Sequence, residues 1–350
     1  MSSTGITAQQ LWFTAPGQVE VRTLLLEAPA AGMMLVAVKC SAVSAGTELL
    51  VYRGLLPDHM TLDATLPGMQ HNANYPLQYG YASVGEVVNI GAGVAAHWLG
   101  QRVFAFQPHA SHFVAEPAQV IAVPDDISTE AALFLANMET AVNLVQDGNP
   151  QLGEHAVVLG QGIVGVLLLQ VLRQFPLASL NAIDATVARR QRAEALGAHA
   201  VADPADPQAL AGLMQQLGQR GADLVFEVSG VPDALNLAIS LAGFASRIVI
   251  GSWYGSKSAQ IALGGAAHRN RLQLITSQVS TVAPALSGRW DKSRRFTLAW
   301  ELIRQLRPQQ WIGERVVLAA AASLYQRLHQ QQQAASSAHD VLQAVFVYDN

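Results

Sequence analysis

The sequence has a single cysteine, little charge, and no hydrophobic run long enough to span a bilayer. Cys40 cannot form an internal disulfide, and one thiol cannot build a thiolate zinc site. Charged residues make up 13% of the chain, against a usual share of roughly 25%. So low a fraction implies that much surface is buried, by domain packing or by a partner subunit. The formal charge of 21 − 25 = −4 argues against a protein that tracks nucleic-acid phosphates. The opening residues, MSSTGITAQQLWF, lack a basic stretch followed by an apolar core. No secretion signal is expected there, and the expected setting is soluble and cytoplasmic. The most apolar run is 156–172, AVVLGQGIVGVLLLQVL. It falls short of the about 20 residues that a span needs, and glycines interrupt its first half. It reads as a buried strand turning into a buried helix.

What is present is a large apolar content, 51% of 350 residues, which excludes a disordered chain. At roughly 100–200 residues per domain, the length suggests two or three domains. Residues 1–125 read as mostly β, with short apolar runs such as LVAVKCSAV, YASVGEVVNI and QRVFAF between turn signals. Within them, 53–79 is a long irregular segment, and such loops are usually functional or mobile. From Ser128 the pattern changes. TEAALFLANMETAVNLVQ reads as a helix with Glu130 in its first turn, and strands then alternate with helices from HAVVLG to RLQLITSQV. Continuous apolar strands in that alternation indicate a parallel sheet covered on both faces. The tail adds the helical RRFTLAWELIRQL and YQRLHQQQQ and a final strand, LQAVFVY.

The run Gly160-Gln161-Gly162-Ile163-Val164-Gly165 follows one predicted strand and opens a predicted helix. In this setting Gly160 makes the tight turn, Gly162 admits backbone to a pyrophosphate, and Gly165 permits close helix–strand packing. The helix N-terminus offers N–H groups to the anion. The next strand ends at Asp184, where a carboxylate meets a ribose 2′-hydroxyl and repels a 2′-phosphate. NAD is therefore favoured over NADP. Arg189 and Arg190, in the following helix, weigh the other way. Two more strand ends, Ser229-Gly230-Val231 and Gly251-Ser252-Trp253, belong on the ligand side of such a sheet.

Taken together these segments resemble the medium-chain dehydrogenase/reductase family over nearly the whole chain. GYASVGEVVNIGAGV (80–94), LGQRVFAF, AALFLANMETAVNLV, VVLGQGIVG and VFEVSGVPDAL carry the likeness. The resemblance implies an α/β fold: a Rossmann doubly wound parallel sheet over 128–295, and a GroES-like β-rich catalytic domain formed by 1–127 and 296–350. It also implies an active site in the cleft between them and a homodimer formed through RLQLITSQV. The departures concern zinc. The family's cysteine step reads Ser44-Ala45-Gly46-Thr47-Glu48, its G-H-E reads Gly80-Tyr81-Ala82, and its third ligand position falls on Ala136-Asn137-Met138-Glu139. Catalytic zinc needs about three N, S or O ligands from protein, so no metal is expected and the chain resembles the zinc-independent members. VSAGTELLVYRG and YPLQYGYASVGEVV are similar to the bacteriochlorophyllide hydroxyethyl dehydrogenase group, which implies oxidation of a secondary alcohol to a ketone with NAD.

Without zinc, side chains must move the hydroxyl proton and hold the developing oxyanion. Thr47 matches the family's relay hydroxyl, although Gly-Thr also suits a turn. Tyr81 stands at a metal-ligand position and either polarises a carbonyl or fills the space. Glu48 and Glu139 are candidate bases if burial raises them, or structural partners of arginine or backbone. Tyr52 and His71 are placed on the segment edging the cleft, and Trp253 suggests an apolar or aromatic small-molecule substrate. His109 and His112 point to opposite faces if they share a strand. The cluster around Arg289 to Arg295 reads as an anion receiver or a solvated helix start. Two competing functions remain open: an NADPH-dependent quinone or enoyl reductase, and an NAD(H)-binding scaffold without turnover.

Overall fold

The computed structural model describes residues 5–57, 61, 73–333 and 340–349. The chain divides into two compact units, 1–136 with 307–333 and 341–350, and 137–306 with 334–340.

The first unit opens with a two-stranded antiparallel hairpin, β1 (Ile6–Ala15) and β2 (Gln18–Leu26), turning at Gly17. β3 (Met34–Val43) follows, then a short helix, α1 (Ala45–Tyr52). Next come β4 (Ser83–Ile90), β5 (Arg102–Ala105), β6 (His112–Ala115), β7 (Val120–Ala122) and α2 (Thr129–Ala132). The hairpin and α1 were not expected. Gly46 and Thr47 lie in a helix rather than a turn. The segment expected as one helix after Ser128 is two, because the chain breaks at Leu133 before α3 (Leu135–Gly148).

The second unit alternates strand and helix as far as β12: β8 (His155–Leu159), α4 (Ile163–Leu172), β9 (Ser179–Ile183), α5 (Val187–Ala195), β10 (Ala200–Ala202) and α6 (Pro207–Leu217). Then follow β11 (Ala222–Glu227), α7 (Ala234–Leu241), β12 (Ala242–Ile250), β13 (Gln273–Thr276) and α8 (Lys292–Leu306). α6 begins at an Asp206 cap that accepts from Gln208 and Ala209 N–H, with Pro207 at its first position. Back in the first unit, β14 (Ile312–Val317), α9 (Ala321–Gln333) and β15 (Gln343–Val347) close the chain.

The first unit's sheet runs β14-β15-β3-β4-β5-β7, with β6 paired to β3. Its core gathers Leu11, Phe13, Val36, Val38, Tyr325 and Phe346. The second unit's sheet is wholly parallel, in the order β10-β9-β8-β11-β12-β13. Renumbered within the unit, that is 3-2-1-4-5-6, the order of a doubly wound dinucleotide-binding sheet. The expected α/β class is borne out. Strand order reverses between β8 and β11, so the loops that follow these two strands meet at the ligand end of the sheet. Among the described residues, no helix is long and apolar enough to cross a membrane. The apolar run 156–172 is β8 and α4, both buried.

Candidate active site

In the second unit the glycine loop is built as its spacing demands. Gly160 has φ +95°, and a Cβ there would lie 2.6 Å from Ser229 Cα. Gly160 is thus pressed against the turn after β11. A Cβ on Gly165 would lie 2.0 Å from the Gly160 carbonyl oxygen, so helix and strand touch backbone to backbone. Gly162 differs. A Cβ there would meet only Arg189 Nη1, at 4.0 Å. Gly162 caps α4 with no side-chain acceptor on the first N–H groups, which leaves them for an anion. Ile163 and Val164 form the first turn.

Asp184 follows β9 and closes the loop. Its Oδ2 accepts the Gln161 N–H at 2.7 Å and its Oδ1 the Thr186 N–H at 2.8 Å. Arg189 Nη1 stands 3.9 Å from Asp184 Oδ2, but its Nε bonds Asp340 at 2.9 Å. Arg192 reaches the same Asp340 carboxylate at 3.0 Å. Arg190 bonds Asp203 at 2.9 Å and the Asp184 carbonyl at 2.7 Å. Arg189 and Arg190, weighed from sequence as receivers of a 2′-phosphate, are therefore each already held by a carboxylate.

The turns after β11 and β12 join through Gly230 N–H, which donates to Ser252 Oγ at 2.8 Å. Beneath them lies a residue that the sequence reading did not single out. Glu227 is fully buried at the end of β11. It accepts from the Ser229 N–H at 2.8 Å, from the Ser229 hydroxyl, and from the Tyr254 phenol at 2.5 Å. Burial, reinforced by the Glu227 charge, pushes the Tyr254 phenol far above its ordinary value. Lys257 donates to the Gly230 carbonyl. Gly251 and Trp253 are half-buried and Val231 is exposed.

Glu139 lies in this unit as one member of a buried ion cluster. Arg295, fully buried, donates to Glu139 at 2.8 and 3.0 Å and to the Asn143 side-chain oxygen at 2.5 Å. Lys292 adds a contact to Glu139 at 3.0 Å. Glu139 is thus the structural partner of arginine, and Arg295 is no solvated helix start. Arg294, by contrast, lies over the Trp290 ring at 4.1 Å.

In the first unit, helix α1 organises a chain of polar groups. Ser44 is its N-cap by position, yet the hydroxyl caps nothing. Instead Glu48 Oε1 accepts the Ser44 N–H at 2.7 Å, and Ser44 Oγ bonds the Tyr81 phenol. Thr47 Oγ1 lies 3.4 Å from the same phenol oxygen. Burial raises the Tyr81 phenol, opposed by its bonds to Ser44 and Thr47. Behind α1 the chain continues where solvent does not reach. Glu48 Oε2 accepts from His109 Nε2 at 3.1 Å and from the Tyr325 phenol. His109 Nδ1 bonds Ser41 Oγ at 2.7 Å, and Ser41 bonds the Tyr348 phenol at 2.8 Å. Glu48, His109, Ser41 and Tyr325 are each fully buried.

The sequence pointed to Thr47, Glu48 and Tyr81, named Ser44 only within the cysteine step and weighed His109 only beside His112, and gave no sign of Ser41, Tyr325 or Tyr348. Nothing local marks them, since Glu48 and Tyr325 are 277 residues apart. Tyr52, expected on the segment edging the cleft, ends α1. Its ring stacks on Tyr325 with centroids 5.7 Å apart, inside the core. His112 lies on β6 and His109 precedes it, so the two share no site. His71 lies outside the described residues. Among the described residues, no group of three His, Cys, Asp or Glu side chains is placed to hold a metal ion. In the first unit, the positions that the resemblance gives as zinc ligands hold a methyl group at Ala45 and a phenol at Tyr81, neither of which suits zinc; in the second unit Glu139 is paired with arginine. The Gly162 cradle and Asp184 do fit a dinucleotide.

Comparison with known proteins agrees with this frame. Residues 164–297 match the family model described as zinc-binding dehydrogenase. The chain is 28% identical to (R,R)-butanediol dehydrogenase of Bacillus subtilis (strain 168) over 276 residues, 70% of this chain and 77% of that one. It is 23% identical to D-guloside 3-dehydrogenase of Escherichia coli (strain K12), over 65% of each chain. In structure it resembles 2R,3R-butanediol dehydrogenase from Bacillus subtilis with a TM-score of 0.77, at 19% identity, across 98% of this chain and all of that one. By sheet order, glycine loop and these matches, the chain resembles the medium-chain, zinc-binding dehydrogenases in fold, and its residues 164–297 match their family model.

Proposed function

We propose that the chain is an NAD(H)-dependent oxidoreductase that interconverts a secondary alcohol and its ketone without zinc. The observation that carries this reading is the Tyr81 phenol, bonded to the Ser44 hydroxyl and 3.4 Å from the Thr47 hydroxyl, at a position where zinc members of the family place a ligand. The cited relatives are dehydrogenases by name, which supports alcohol chemistry. The nicotinamide, when bound, supplies or accepts the hydride. The chain's residues have the proton to manage. Ser44 bonds the phenol oxygen closely, whereas Thr47 is a distant acceptor for the phenol proton at 3.4 Å, beyond the usual O–H···O range. With Ser44 as the donor in its bond to the phenol, that proton is available to a carbonyl oxygen, and Ser44 steadies the phenolate that remains. In the reverse direction the same phenolate takes the alcohol proton. General acid–base help of this kind contributes roughly 10²–10⁴-fold. Glu48 acts through Ser44, by fixing the backbone N–H that sets the hydroxyl's position.

Asp184 supports NAD over NADP, because its carboxylate repels a 2′-phosphate and the neighbouring arginines are already paired. The likeness to the hydroxyethyl dehydrogenase group favours a hydroxyl on a carbon borne by an apolar, aromatic skeleton. The outer edge of β13, which ends the parallel sheet with Leu274 39% exposed, supports a homodimer in which a second copy meets this edge.

The test is turnover of secondary alcohols with NAD by metal-free, chelator-treated protein, comparing wild type with Tyr81→Phe. Activity in wild type and a loss of about 10²-fold or more in kcat for the variant are expected. Activity that appears only on adding zinc, or a Tyr81→Phe variant as fast as wild type, refutes the reading.

A further inference from the structure

Three arginines of α5 surround the end of β9 that carries Asp184, and three carboxylates neutralise them. Two of those carboxylates, Asp184 and Asp203, follow β9 and β10. The third comes from far along the chain. Asp340 is contributed to this unit from beyond α9, 151 residues after Arg189. Its side chain is only 2% exposed, and its two oxygens are divided between Arg189 and Arg192. The arginines themselves remain about a quarter exposed, 26% and 24%, so a ligand can reach them. Arg189 is also the nearest group to the open face of Gly162 and stands beside Asp184. It therefore sits where the anionic end of a dinucleotide and the ribose reader come together.

We propose that Asp340 is a specificity-determining residue, which ties up the Arg189 and Arg192 guanidiniums and so denies a 2′-phosphate its cationic partners. The inference rests on the reading of this loop as an NAD(H) site. Guanidinium is the side chain best matched to a phosphate, through paired N–H donors. A free Arg189–Arg192 pair would offset the repulsion from Asp184. With one buried carboxylate shared between them, both are spent. Arg190 cannot substitute, since Asp203 and the Asp184 carbonyl hold it. Selectivity against the 2′-phosphate thus has two parts: repulsion by Asp184, legible at the strand end, and withdrawal of cations by a tail residue.

The experiment titrates wild type, Asp340→Asn and Asp340→Glu with NADH and NADPH at one fixed ionic strength, following nicotinamide fluorescence. Asp340→Asn is expected to lower the ratio Kd(NADPH)/Kd(NADH) about tenfold, equivalent to about 1.4 kcal/mol. Asp340→Glu, which keeps the charge, is expected to stay near the wild-type ratio. Arg192→Gln provides a surface variant should Asp340→Asn fail to fold. It removes one of the two guanidiniums that share Asp340 and is expected to raise the ratio about threefold. A wild type that prefers NADH, with a ratio that moves in neither Asp340→Asn nor Arg192→Gln, overturns this inference and leaves the NAD(H) reading standing. A wild type that prefers NADPH overturns both.

Discussion

Two glycines of the phosphate loop, three positions apart, should respond in opposite ways to the same added methyl group. At Gly162 a Cβ has nothing nearer than Arg189 Nη1 at 4.0 Å, and the backbone, at φ −68° and ψ −174°, suits any residue. Alanine is a poorer N-cap than glycine by a fraction of a kcal/mol. The unfolded chain, however, loses freedom worth about 0.4–1 kcal/mol. These terms nearly cancel, so Gly162→Ala should shift Tm by no more than about 3 °C. The methyl nonetheless occupies the face that a pyrophosphate must approach. Losing one charge-assisted hydrogen bond costs about 1.5–3 kcal/mol, so NADH affinity should fall about 10- to 150-fold. At Gly165 the methyl meets the Gly160 carbonyl oxygen at 2.0 Å. Gly160 cannot retreat, because its N–H is bonded to the Ile183 carbonyl at 2.8 Å and its α-carbon faces Ser229. Overpacking of this kind costs about 3 kcal/mol or more, a fall of roughly 6–12 °C in Tm for a unit of this size. Thermal melts and NADH titrations on both variants decide the matter. Full stability of Gly165→Ala, or undiminished NADH binding by Gly162→Ala, refutes this loop geometry.

Other perturbations test the first unit. Glu48→Gln exchanges one acceptor for an amide donor that must face the Ser44 N–H, His109 or the Tyr325 phenol, all donors to Glu48. A cost of about 1–3 kcal/mol is expected, seen as a lower melting midpoint in urea with an unchanged slope; an unshifted midpoint would count against the buried network. The Tyr81 phenol is raised above the ordinary tyrosine value of 10.0, so its neutral, proton-donating form persists through neutral pH. Ketone reduction should stay level across neutral pH and decline only above about pH 10; a decline centred near neutrality would assign the acid to another group. Cys40 is buried, with its thiol pushed up to about 12 by burial and then by the Glu130 charge. Iodoacetamide at about pH 8 should leave it unlabelled until denaturant is added, since only thiolate reacts. Mass spectrometry reads this directly, and stoichiometric labelling of native protein would contradict the burial.

The parallel sheet was legible because its signals are local. Unbroken apolar strands, the glycine spacing after β8 and an acid at the end of β9 all lie within short stretches, and each retains its meaning whatever the rest of the chain does. α1 was not legible. Gly46 and Thr47 looked like a turn, and what organises the helix start is a carboxylate accepting the Ser44 N–H. The β1–β2 hairpin was missed for a related reason: its buried positions, Ala8, Leu11 and Phe13, do not alternate strictly. Thr47, Tyr81 and Glu48 could be singled out by type and by likeness to a family, but their partners could not. Ser41, Glu48, His109, Tyr325 and Tyr348 are joined by contacts spanning 61 to 307 residues. Likewise the sequence alone left Arg189 free to receive a phosphate, and only folding brought Asp340 to it. Backbone conformation and hydrophobic period belong to neighbours along the chain, so they are written in the sequence. Which charge neutralises which, and which hydroxyl keeps a free proton, depends on distances that exist only after the chain has folded.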